Sequence, residues 1–65
     1  MRNLRRRLET AIRRVDVGVP DSLFKRDPRL ATNMALRRIG RPHIRNFDSR
    51  AEVLRAVIFI EEEVS

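Results

Sequence analysis

Sixty-five residues without a cysteine leave room for one small domain and exclude both a disulfide framework and a thiolate metal site. The chain carries 15 Lys and Arg against 9 Asp and Glu, a net charge of +6, and Lys25 is its one lysine. An arginine-rich balance of this kind points to a polyanionic partner, since the planar guanidinium fork suits phosphate and carboxylate. A GC-rich coding sequence accounts equally for Arg over Lys, but not for the positive balance itself.

A core this small scarcely offsets the entropy of ordering the chain, which makes completion by a second copy a reasonable expectation. No stretch reads as a signal peptide. The longest uncharged apolar run, residues 56–60, is far too short to cross a bilayer. The expectation is a cytoplasmic protein with no membrane partner.

Residues 3–16 read as a first helix, with Asn3 as N-cap. Leu4, Leu8, Ala11, Ile12 and Val15 fall on one stripe about 100° wide. Glu9 and Arg13 form a well-oriented i,i+4 pair. Gly18 stands where a glycine would end the helix, and Pro20 prevents continuation. Arg2, Arg5, Arg6 and Arg7 crowd an end that the macrodipole already makes positive, which is unfavourable. Something negative is needed nearby. Two sources qualify: a phosphate backbone, or the glutamates 61–63, which are equally misplaced at the negative end of the last helix. Packing the first and last helices antiparallel would bring the two clusters together, within one chain or across a dimer.

Residues 17–27 form a connection, in which Val19, Leu23 and Phe24 tuck inward and Asp21 caps at most a single turn. Residues 28–39 form a second helix with Asp27 as N-cap, Pro28 at the first helical position, Gly40 at its end and Pro42 beyond. Residues 40–47 read as irregular or extended. If extended, Arg41, His43 and Arg45 share one side and make a second candidate for anion binding; an ordinary loop anchored by Ile44 and Phe47 explains them as well.

The last helix, residues 49–64, is the organising element. Ser49 and Glu52 match a capping box, and Phe47 is placed as a hydrophobic staple. Residues 56–60 are apolar nearly all round, which requires burial on more than one side. Phe59 lies within the polar arc, either under the chain's own first helix or against another protein. A short β-branched run also fits a buried strand, but the cap and the length favour helix.

Catalysis has little to work with: one His, no Cys, no Gly-rich phosphate loop, and serines only in a connection, a cap and at the terminus. No cofactor, metal or small-molecule substrate is expected, and the protein reads as no enzyme. A helix-turn-helix is rejected, because about eight residues separate the second and third helices and the third carries acids that repel DNA. The first helix is basic and amphipathic, but its apolar face is too narrow and too poor in aromatics for a membrane surface.

The sequence thus predicts an all-α, three-helix domain. The preferred function is a small non-enzymatic regulator or accessory protein that binds RNA or DNA through arginine–phosphate contacts. The residues for that role are Arg2, Arg5, Arg6, Arg13, Arg37, Arg38, Arg41 and Arg45. The alternative is a protein-interaction module, such as a small subunit, inhibitor or antitoxin-like regulator. It would dock on another protein, or on itself as a homodimer, through Val57, Phe59, Ile60 and Val64.

Overall fold

The computed structural model describes residues 3–65. Among them the chain is all-α, with α1 (Leu4–Val15), α2 (Asp21–Arg26), α3 (Pro28–Arg38) and α4 (Arg50–Val64). Three of these are the expected helices. The short α2 is an addition to the three-helix expectation: Pro20 occupies its N-cap, and Asp21 is its first helical residue rather than a cap. Leu23 and Phe24 explain why this connection coils, since one helical turn lets both face inward.

The helix ends follow their local chemistry. The Asn3 side chain accepts from the Arg6 amide at 3.2 Å, and that of Asp27 from the Leu30 amide at 3.2 Å. At the end of α3, Gly40 has φ 73°. Its amide donates to the Arg37 carbonyl at 3.1 Å and the Arg41 amide to the Leu36 carbonyl at 2.9 Å, a Schellman arrangement.

The end of α1 departs from expectation. The C-cap is Asp16, left-handed at φ 52°, two residues before Gly18. Gly18 is left-handed as well, at φ 79°, which favours glycine there, and a Cβ would also lie 2.8 Å from the far end of the flexible Arg38 side chain. The Arg38 guanidinium donates to the Val17 carbonyl and ties the α1–α2 connection to α3.

Half of the capping box also differs. Ser49 Oγ accepts from the Glu52 amide at 3.3 Å, as predicted. The Glu52 carboxylate, however, accepts from the Arg45 amide at 2.7 Å and the Asn46 amide at 3.3 Å. Residues 40–47 turn so tightly before α4 that their own amides reach the carboxylate first.

The core joins one face of each long helix. Leu8, Ala11 and Ile12 of α1, Ala31, Ala35 and Leu36 of α3, and Val53, Ala56, Val57 and Ile60 of α4 are buried together with Phe24 and Ile44. Four of these are alanines, which lets the backbones approach closely. Ile44 is seated by Asn33, whose side chain accepts from the Ile44 amide at 2.8 Å and donates to its carbonyl at 3.0 Å. Thr32 is also fully buried, and its hydroxyl makes no hydrogen bond among the described residues.

The α1–α4 packing is not antiparallel. Leu4 and Arg5 share a cleft with Phe47, Arg50 and Val53, while Thr10 and Arg14 share another with Val64 and Ser65. Starts therefore meet starts and ends meet ends, because α2 and α3 return the chain before α4 begins. No helix among the described residues is long and apolar enough to cross a membrane.

Candidate nucleic-acid interface

The parallel sense of α1 and α4 separates the charges along α4. Glu61, Glu62 and Glu63 end the helix, whereas Arg50 begins it and Arg45 and Arg5 stand beside its start. Arginines near the acidic end are taken up within the chain. Arg7 grips Glu61 with Nε and Nη2 at 2.9 and 2.8 Å. That hydrogen bond holds the Glu61 carboxyl below the usual range; burial opposes it, and the lesser charge effects of Arg7 and Arg14 add to it. Arg41 reaches Glu62 at 3.3 Å and lies over the Phe59 ring, 4.6 Å from its centroid.

The predicted meeting of arginines and glutamates thus occurs, but only in part. Of the N-terminal cluster, Arg7 alone is paired with a glutamate among the described residues, and Arg2 lies outside them.

Other predicted anion-binding residues are also committed inside the fold. Arg13 is bonded to Asp21 at 3.2 Å and lies 3.9 Å from Glu9. Arg38 is tied to the Val17 carbonyl. Arg37 is exposed on α3 with no ion pair among the described residues.

Arg14, Arg26 and Arg29 likewise have no ion pair among the described residues, and a further group of unpaired cations stands around the start of α4. Arg5, Arg6 and Lys25 border a cleft of about 300 Å³ with Asn3, Glu9 and Phe24. Arg5 also borders the neighbouring cleft of about 210 Å³ that holds Arg50. A third cleft, of about 350 Å³, is lined by Pro42, His43, Arg45, Glu52 and Arg55. None of Arg5, Arg6, Lys25, Arg45 and Arg50 has an ion pair among the described residues.

Three acids sit close by. Glu9 faces Arg13, and Asp48 is exposed. Glu52 is occupied by two backbone amides, whose hydrogen bonds hold its carboxyl below the usual range. The positive ends of the α1 and α4 dipoles add to this basic pole.

The structure therefore gathers Arg5, Arg6 and Arg45 from the predicted set and adds Lys25, Arg50 and Arg55. Arg50 carries the same local signature as the α1 cluster: it is a cation at the positive end of a helix. Lys25 belongs to the short helix that periodicity does not reveal, and nothing local marks it.

The predicted protein interface also divides. Val57 and Ile60 are fully buried against the chain's own helices, so they are core residues and not a docking surface. Phe59 is half-buried beneath Arg41. Val64, 39% exposed, and Ile58, 43% exposed, are the apolar side chains that α4 offers to the outside. The chain matches no family model, no curated protein and no solved structure.

Proposed function

We propose that the protein binds nucleic acid through its basic pole, gripping phosphates with Arg5, Arg6, Lys25, Arg45 and Arg50, in a regulatory or accessory role without catalysis. One observation carries this reading. The chain neutralises Arg7, Arg13 and Arg41 with its own carboxylates; of the cations it leaves without a carboxylate partner among the described residues, Arg5, Arg6, Lys25, Arg45, Arg50 and Arg55 gather at a pole shared by two helix N-termini, whereas Arg14, Arg26, Arg29 and Arg37 lie outside its clefts. Leaving like charges together is unfavourable for folding alone, and phosphate relieves it.

The test is fluorescence anisotropy of labelled oligonucleotides at low and at physiological salt. Each of Arg6→Ala and Arg50→Ala should weaken binding and reduce the log–log salt slope by about 0.9 on duplex or about 0.7 on a single strand. Arg13→Ala, outside the pole, should leave the slope unchanged. Equal effects from all three variants would overturn the reading.

A second reading, a protein-interaction module or homodimer, rests on the exposure of Ile58 and Val64. Val64 borders an α1–α4 groove of about 530 Å³. Ile58→Glu and Val64→Glu should then abolish a dimer or complex seen by sedimentation while leaving helicity intact. A monomer in the unaltered protein counts against the homodimer.

A further inference from the structure

Arg5 differs from the other cations of the basic pole. Its guanidinium carbon sits 5.1 Å from the centroid of the Phe47 ring. Phe47 is braced in turn by Phe24, with centroids 6.4 Å apart and the rings at 71°. Phe24 is buried, so the base of this stack is anchored in the core. Arg5 is exposed, and its side chain makes no hydrogen bond or ion pair among the described residues.

A cation needed only for its charge has no use for such a platform, and Arg6, Lys25 and Arg50 lack one among the described residues. A guanidinium seated over a ring leaves its far side open to whatever comes from outside. Nucleobases stack on arginine planes as they do on aromatic rings. The clefts on either side of Arg5 place Arg6 and Lys25 on one flank and Arg50 on the other, where the phosphates before and after a stacked base would lie.

We propose that the ligand of the basic pole is single-stranded nucleic acid, with one base stacked on the outer face of Arg5 above Phe47. The inference rests on the nucleic-acid reading above and adds the state of the strand. A duplex keeps its base faces covered and offers only phosphates to this surface. An unpaired strand offers both.

The experiment compares four labelled ligands of about twelve nucleotides at about 0.15 M salt: oligothymidylate, oligouridylate, an abasic strand with the same phosphates, and a duplex. Oligothymidylate or oligouridylate should bind at least about fivefold more tightly than the abasic strand, the smallest gain expected from one stacked base. Either sugar satisfies the proposal.

Arg5→Lys keeps the charge and removes the plane. It should bring single-strand affinity down to the abasic level while duplex affinity changes by less than about twofold. Because Arg5 is a surface residue, circular dichroism should show the variant fully helical. Phe47→Leu retains apolar bulk under Arg5 and should have the same selective effect.

Equal binding of the abasic and base-bearing strands overturns the stacking inference and leaves the phosphate reading standing. So does an Arg5→Lys variant that still distinguishes those two strands. Failure of all four ligands to bind at this salt overturns both.

Discussion

Asn33 offers the sharpest test of how this fold is held. Its side-chain amide makes two hydrogen bonds to the backbone of Ile44, at 2.8 and 3.0 Å, and Ile44 is 2% exposed. Asn33→Ala leaves a buried N–H and a buried C=O without partners. Each orphaned group costs about 1–3 kcal/mol, and partial relaxation of the loop brings the total to about 2–3 kcal/mol. A chain of this length has about 3–10 kcal/mol of stability altogether, so the substitution removes a large share. In thermal denaturation followed by circular dichroism, the midpoint should fall by about 8–20 °C.

A double-mutant cycle then identifies the mechanism. Ile44→Ala should cost about 2–5 kcal/mol on its own. If Asn33 acts by seating Ile44, the double variant should cost less than the sum of the singles by about 1 kcal/mol or more. A loss below about 0.5 kcal/mol for Asn33→Ala, or strict additivity in the cycle, would refute the idea that this amide clamps the loop to α3.

Other predictions can be checked by the same denaturation measurements. Ile60→Ala should cost about 2–5 kcal/mol, whereas Ile58→Ala, two positions away on the outer face of α4, should cost less than about 1 kcal/mol. Reversal of that order would mean that α4 is rotated. Thr32→Val removes a buried hydroxyl that has no partner among the described residues and keeps its shape, so it should stabilise the protein by about 1 kcal/mol; destabilisation would show that the hydroxyl is hydrogen-bonded after all.

Acid should weaken the fold. The carboxyls of Glu52 and Glu61 are held below their ordinary value of 4.5 in the folded chain, by the Arg45 and Asn46 amides and by Arg7 respectively. Their contribution is complete above the unfolded value and is lost as pH falls through 4.5 and then through the lower folded values. Denaturation midpoints measured from neutral pH down to about pH 3 should therefore decline more steeply for the unaltered protein than for Glu52→Gln. Parallel curves would contradict the carboxylate's role at the Arg45 and Asn46 amides.

Local signals decided the three long helices. Asn3, Asp27 and Ser49 cap them, Pro28 opens one, and Gly40 closes it, because these effects act over a single turn and need no partner elsewhere in the chain. The narrow stripe of α1 likewise announced which face would be buried. The short α2 escaped because six residues carry too little periodicity to separate a helical turn from a loop. The Glu52 carboxylate departs from the capping-box pattern because the amides that compete for it come from a turn whose geometry the sequence pattern does not specify.

The candidate site was legible only as a composition. An excess of arginine is a property of the chain, but which arginines remain available depends on where the nine acidic side chains land in space. Arg7 and Glu61 are 54 residues apart, and Arg41 and Glu62 are 21 apart. Pairing at such separations follows from the order and sense in which helices pack, to which hydrophobic periodicity is blind. Helices, caps and net charge can be read along the chain, since they are set by interactions within a turn or by simple counting. The shared sense of α1 and α4, the closing of the core by Val57 and Ile60, and the meeting of Arg5, Arg6, Lys25 and Arg50 at one pole emerge from packing. Those outcomes depend on burying apolar faces contributed by distant segments, and the charges follow wherever that burial carries them.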